Sequence, residues 1–396
     1  MRLQHLAFVT LAALFTACGS QKEQPELTKS GLDPQNFENE YNGKATHLYS
    51  LTNNAGTEVC ITNFGGRIVS IMVPDRDGNF HDVVLGMDSV AAYFPENNQS
   101  DFGAAIGRYA NRIDHGRLVL DGDTVQLPVN NFGHCLHGGP TGWQYQVYDA
   151  EQPNDSTLVL TMQSPDGDNN FPGNLTAKVT YTLTSDNKVD IAYTATTDKA
   201  TVINMTNHSY FNLGGDPSKG VENDVLYINA ANFTPVDSTY MTSGEIIPVA
   251  GTPMDFTVAK PVGQDIAMMD YEQIKNGNGY DHNWVLDTKG DMNAPAAILT
   301  SPENGIVLTV YTDEPGIQFY SGNFLDGTIT GKNGKVYNQH AGMCLETQHY
   351  PDSPNKPEWP TTTLRPGETY NSHTVFAFSV APAEAPATPA EDASEK

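Results

Sequence analysis

Six segments of the chain set polar, proton-carrying side chains among aromatic and glycine residues, where a hydrophobic core would not ordinarily hold them. They are Gly107-Arg108-Tyr109-Ala110-Asn111-Arg112-Ile113, Leu136-His137-Gly138-Gly139, Asn207-His208-Ser209-Tyr210-Phe211-Asn212, Gly279-Tyr280-Asp281-His282-Asn283, Gln318-Phe319-Tyr320-Ser321-Gly322-Asn323 and Cys344-Leu345-Glu346-Thr347-Gln348. Each alone is weak evidence, since a strand histidine is commonly structural and a lone glutamate commonly faces solvent. Together they supply imidazoles, carboxylates, a guanidinium and side-chain amides interleaved with aromatic rings. Flat rings suit the CH faces of a sugar, and forked polar groups suit its hydroxyls. Histidine and glutamate add the means to move protons near neutral pH.

The elements that must position these residues are strands. From Tyr41 to about Val380 apolar residues alternate with polar ones, bounded by turn formers. In the clearest stretch Leu175, Ala177, Val179, Tyr181 and Leu183 share one face, and Ser185-Asp186-Asn187 turns the chain back into Val189, Ile191, Tyr193 and Ala195 as a hairpin. Shorter strands are predicted at Arg117 to Leu120, at Thr124 to Leu127 and through Ile306, Leu308 and Val310. Helical periodicity is confined to short stretches near Ser89 to Phe94 and Gly263 to Asp270. Strands without intervening helices exclude a parallel βαβ sheet and predict an all-β fold, a large antiparallel sandwich. The 35 glycines, 25 prolines and low charged fraction of 17% exclude coiled coils and helical bundles.

The 396 residues carry 21 basic against 47 acidic side chains, a formal charge of −26. A nucleic-acid partner would need clustered cations, so none is expected, whereas a neutral small molecule is not repelled by this field. At the start, Met1-Arg2 precede an apolar run from Leu6 to Leu14 and then Phe15-Thr16-Ala17-Cys18. This resembles a bacterial lipoprotein signal over residues 1–18, with Cys18 lipidated and the protein anchored to the cell envelope on the periplasmic or cell-surface side. Residues 19–40 then read as a tether, 41–380 as the folded domain and 381–396, rich in Ala, Pro and Glu, as a disordered tail. No later run of 18 apolar residues exists, so the lipid is the only membrane contact expected. Cys60, Cys135 and Cys344 form no CxxC pair and read as small buried hydrophobes. The ligand-like His134-Cys135-Leu136-His137 lacks a second cluster, so no metal is expected. Gly215 to Gly220 has the glycine spacing of a phosphate loop, but Val221 stands where lysine is required.

In order and spacing these six segments resemble the aldose 1-epimerase (galactose mutarotase) family over about 340 residues. Phe64-Gly65-Gly66-Arg67, Gly322-Asn323-Phe324-Leu325-Asp326-Gly327 and Leu364-Arg365-Pro366-Gly367-Glu368 match as well. The resemblance implies the large mutarotase-type β-sandwich, no cofactor, and interconversion of the α and β anomers of free aldoses such as galactose or glucose. It implies Glu346 as general base and His208 as general acid, with Asn111, Arg112, His137, Asp281 and Gln318 positioning the substrate. Opening a cyclic hemiacetal requires removing the proton of the anomeric hydroxyl while giving one to the ring oxygen. Partial burial beside Cys344 and Leu345 would raise the basicity of Glu346, and a histidine protonated near neutrality suits the second role. Tyr109, Trp143, Trp284 and Phe319 are candidate stacking faces. The glycines after His137 are expected to let backbone approach the sugar. Three alternatives stand beside this reading: a glycoside hydrolase or lyase using Asp281 and Glu346 as its carboxylate pair, a membrane-tethered sugar-binding protein without turnover, and a hexose-phosphate epimerase, which would need more cations than these segments offer.

Overall fold

The computed structural model describes residues 26–97 and 100–382. The predicted hairpin forms as Leu175–Leu183 against Lys188–Thr197, with Leu183 opposite Val189 and Leu175 opposite Thr197. Its burial alternates residue by residue, as one half-buried face requires. The pair lies within a nine-stranded sheet. The C-terminal strand Tyr370–Val380 inserts between Lys188–Thr197 and Ile306–Thr312, so the end of the chain completes the sheet's interior. A four-stranded sheet (Leu48–Thr52, Glu58–Thr62, Arg67–Pro74, Phe80–Asp82) and a six-stranded sheet pack across it. The six-stranded sheet runs, in spatial order, Tyr210–Phe211, Met343–Gln348, Gly316–Tyr320, Asp281–Val285, Asn232–Thr234 and Ile247–Pro248.

One core joins the three sheets. Val59 and Ile71, Tyr181 and Phe376, and Trp284, Phe319 and Leu345 are buried in the same cluster. Each such side chain contributes roughly 1.5–3 kcal/mol through removal from water. All ladders between named strands are antiparallel, and the all-β sandwich read from the sequence is the architecture observed.

Two expectations are corrected. The stretches read as helical are single 3₁₀ turns at Val90–Tyr93 and Val262–Gln264, and the α-helix among the described residues is Glu272–Gly277. Elements of one or two turns are too short to show a helical period, so their positions follow from packing. The tether assignment fails over residues 26–40: Leu32 and Phe37 are buried beside Phe64 and Phe94, and the Thr46 hydroxyl donates to the Phe37 carbonyl at 2.9 Å. The polar composition of this stretch concealed two apolar anchors that tie it to the domain. Cys18, the rest of the tether and residues 383–396 lie outside the described residues. Cys60, Cys135 and Cys344 are free and buried, and burial pushes the first two thiols up to about 12.

Asp224 carries a testable cost. Burial, reinforced by Glu303 and Glu222, pushes its carboxyl up to about 7. Because the folded value is raised, its contribution to stability is complete below the unfolded value near 3.8 and is lost as pH rises through about 7. Asp224→Asn is therefore expected to stabilise the protein at pH 8 by on the order of 1–3 kcal/mol relative to its effect at pH 4. Thermal melts of both proteins at the two pH values measure this; an equal effect at both refutes it.

Candidate active site

Strand alternation builds one wall of the site. In the six-stranded sheet Tyr210 lies opposite Cys344, Cys344 opposite Tyr320, and Tyr320 opposite Asp281. Opposed residues share a face. Two positions along, Glu346 lies opposite Gln318 and joins that face. The intervening Met343, Leu345, Ile317, Phe319 and Trp284 point the other way, into the core. One face of this sheet is apolar because it covers the core, and the other is polar because it floors a hollow.

Two short strand pairs supply further lining. Ala104–Ile106 pairs with Thr206–His208, and Arg112–Ile113 with Cys135–Leu136. Asn111 (φ 60°) and His137 (φ 51°) border the second pair in left-handed conformations that non-glycine residues rarely adopt. Each holds the other: His137 N–H donates to the Asn111 carbonyl at 2.9 Å, and Asn111 N–H donates to His137 Nδ1 at 3.1 Å. With Nδ1 accepting, the ring hydrogen of His137 sits on Nε2. Burial, with the charges of His208 and Arg112, holds its pKa well below the ordinary value, so it is a neutral donor. Arg112 donates Nε and Nη2 to Asn131 Oδ1 at 3.2 and 2.9 Å and lies over the Tyr240 ring at 5.1 Å. Gly138 (φ +78°) has another purpose than the one expected. A Cβ there would stand 2.3 Å from the Gly107 carbonyl oxygen, so glycine lets the His137 turn pack on the neighbouring chain.

These elements border a hollow of about 270 Å³ with Asn111, Arg112, His137, His208, Asp281 and Glu346 on its lining. His208 Nε2 is 3.5 Å from Glu346 Oε1. That separation exceeds a well-formed hydrogen bond, so both groups keep a direction free toward the hollow. Nδ1 of His208 lies 3.5 Å from Cys344 Sγ, and the ring also bonds to its own backbone; with the ring hydrogen on Nδ1, Nε2 is free to exchange a proton with Glu346. The Tyr210 ring stacks on the imidazole at 5.2 Å. Burial drives the two groups in opposite directions, Glu346 well above the ordinary carboxyl range and His208 down to about 4. The expectation of a histidine protonated near neutrality is thus corrected. Burial favours a single shared proton on the carboxyl side of the pair, and the carboxylate–imidazolium form differs only by its transfer.

Asp101 with His137 and His208, and His208 with Cys344 and Glu346, each bring ligand-type atoms within 4.8 Å of one another. A metal requires lone pairs from deprotonated ligands. His137 Nδ1 is occupied by the Asn111 N–H and the Cys344 thiol lies 3.5 Å from His208 Nδ1, so both groups serve hydrogen bonds here.

The structure gathers Asn111, Arg112, His137, His208, Asp281 and Glu346 around one cavity, and places Gln318 behind them. Gln318 is absent from the lining, and its Nε2 donates to Asp281 Oδ1 at 2.7 Å. Burial raises the Asp281 pKa, opposed by Arg112 and by this bond. The four proposed stacking faces are corrected: Tyr109, Trp143, Trp284 and Phe319 are buried in the core. Trp284 and Phe319 have the opposite strand parity to Asp281 and Gln318, which turns them away. The aromatic lining is Tyr210, Tyr320 and Phe324. Tyr210 and Tyr320 stand two residues after His208 and Gln318, a spacing that could have identified them. Asp101 and Asn131 also line the hollow and carry no local sequence signal. Arg108, the other arginine of its segment, is a buried brace donating to Ser164 Oγ at 2.6 Å and to the Pro172 carbonyl at 2.7 Å.

The sequence pattern of the aldose 1-epimerase family matches residues 47–377. The chain belongs to this family. It is 42% identical over 339 residues to the aldose 1-epimerase of Escherichia coli K12, covering 85% of this chain and 96% of that one. It is 43% identical over 323 residues to the galactose mutarotase of Mus musculus, covering 82% and 91%. Among solved structures, an aldose epimerase homologue from C. elegans superposes with a TM-score of 0.77 at 29% identity, covering 85% of this chain and 100% of that one. A galactose 1-epimerase from Lactobacillus acidophilus does so with a TM-score of 0.77 at 30% identity, covering 87% and 97%. The chain is therefore an epimerase, and the hydrolase and non-catalytic alternatives are not favoured.

Proposed function

We propose that the protein interconverts the α and β anomers of free hexoses such as galactose or glucose, with Glu346 and His208 as its proton carriers. The observation that carries this reading is the 3.5 Å separation of His208 Nε2 and Glu346 Oε1 on the lining of one sugar-sized hollow. In the carboxylate–imidazolium form Glu346 takes the proton of the anomeric hydroxyl while His208 gives one to the ring oxygen. The ring bond breaks, the aldehyde carbon rotates, and the steps reverse on its other face. Because the pair ends each cycle with the proton it began with, no redox partner or covalent intermediate is required. The His137 N–H and the Arg112 guanidinium donate to sugar oxygens, Asp281 accepts from hydroxyls, and Gln318 fixes the Asp281 carboxylate. Each placed acid or base is worth roughly 10²–10⁴ in rate. Polarimetry of freshly dissolved α-galactose or α-glucose tests the reading: optical rotation relaxes faster with the protein than in buffer, and equal rates refute it.

The address is part of the proposal. The apolar run ending in Ala17-Cys18 supports export and lipid attachment at Cys18, which would set the enzyme where sugars arrive before uptake. Cys18→Ser is expected to move the full-length protein from the membrane fraction to the soluble fraction of expressing bacteria with kcat unchanged. Retention in the membrane fraction refutes the anchor.

A further inference from the structure

Asp101 lines the hollow beside His208 and takes no part in the chemistry above. Its carbonyl accepts the Ala104 N–H at 3.0 Å, and the next residue but one, Gly103, donates its N–H to the His208 carbonyl at 2.9 Å, so its backbone is tied to that of His208. The buried Arg67 guanidinium clamps both flanking residues, donating to the carbonyls of Ser100 at 3.2 Å and Phe102 at 2.9 Å. One oxygen of its carboxyl is left unspent. Oδ1 is sealed from solvent with no hydrogen-bond donor among the described residues, an arrangement that costs about 1–3 kcal/mol unless something supplies a donor. One carboxylate oxygen lies within 4.8 Å of ring nitrogens of both His137 and His208. Asp101 also borders a second hollow of about 180 Å³, which shares Asn131, Leu136 and His137 with the first.

Resting on the proton-carrier assignment, this placement has a stereochemical consequence. With the anomeric hydroxyl at Glu346 and the ring oxygen at His208, the carbon that follows the ring oxygen is held near His208, where Asp101 is the lining carboxyl that the chemistry leaves unassigned. In hexopyranoses that carbon bears a hydroxymethyl group; in pentopyranoses it bears hydrogen. We propose that Asp101 is a specificity-determining residue whose carboxyl receives this exocyclic hydroxyl, so that the enzyme favours hexoses over pentoses and over sugars deoxygenated at that position. The second hollow gives the substituent room. Burial holds the Asp101 pKa up to about 6, so at pH 8 the group is an ionised acceptor.

The test compares α-glucose, 6-deoxy-α-glucose and α-xylose by polarimetry at pH 8 for the wild type, Asp101→Ala and Asp101→Asn. A hydrogen bond to a charged group predicts that wild-type kcat/KM is about 10- to 100-fold higher for glucose than for the other two. Asp101→Ala should lower glucose turnover toward the xylose value while leaving xylose within about 2-fold, and Asp101→Asn, which keeps an acceptor, should fall between. Equal wild-type turnover of glucose and 6-deoxyglucose overturns the proposal without reference to any variant, so it stays decidable if Asp101→Ala does not fold. A parallel loss on all three sugars by folded Asp101→Asn overturns it in favour of an effect on His208. Failure of the wild type to accelerate any of the three overturns the underlying anomerase reading instead.

Discussion

Glu346→Gln is expected to lower kcat for anomer interconversion by roughly 10²–10⁴-fold while leaving the fold intact. Glu346 sits inside the strand Met343–Gln348, opposite Gln318, 2% exposed, with Oε2 lacking a hydrogen-bond partner among the described residues. Glutamine keeps the shape and removes both the base and the site of the pair's proton. Stability should respond in the opposite sense to activity. Because burial raises the folded pKa of Glu346, its contribution is complete below the unfolded value near 4.5 and is lost as pH rises toward the folded one. The variant lacks that loss, so its melting temperature at pH 8 should equal or exceed the wild type's. Polarimetry and paired melts at pH 5 and pH 8 measure both effects. Activity within tenfold of wild type would remove Glu346 from the chemistry.

His208→Ala is expected to cost a comparable factor in kcat, because it deletes the second carrier and leaves Glu346 without a proton exchange partner. The wild-type pH dependence separates this role from a structural one. His208 is held down to about 4 by burial. Below that value a second proton enters the pair, no base remains, and kcat/KM should fall with an acid limb near pH 4. For stability the depressed value means that the contribution present above the unfolded pKa near 6.5 is lost as pH falls through 6.5 toward 4. His208→Ala should flatten that slope. An acid limb near pH 6.5, or an unfolded variant, would contradict this account.

The parts of the site that could be read from the sequence are those whose chemistry is local. Glu346, His208, Asn111, Arg112, His137 and Asp281 stand in compact segments where polar groups interrupt a strand pattern, and the recurrence of such groups in six segments sets them apart from structural residues. Strand parity would have carried the reading further. It separates Tyr320 from Phe319 and excludes Trp284, since a period of two sends neighbours to opposite faces. Asp101 and Asn131 could not be found this way. They reach the hollow because Arg67 and Arg112, distant in sequence, hold their surroundings in place. The packed segment around Leu32 and Phe37 was hidden similarly, its two apolar side chains outnumbered by polar neighbours.

The amino-acid sequence by itself determined the all-β architecture and the hairpin, because alternation is a property of single residues and near neighbours, and the candidate proton carriers came from the family resemblance that its polar segments carry. Only the tertiary structure decided which of the paired groups burial favours in its protonated form, that Gln318 supports Asp281 from behind, and that Asp101 lines the hollow. These depend on desolvation and on contacts between strands far apart in the chain, and neither quantity exists until the sheets have closed over one another.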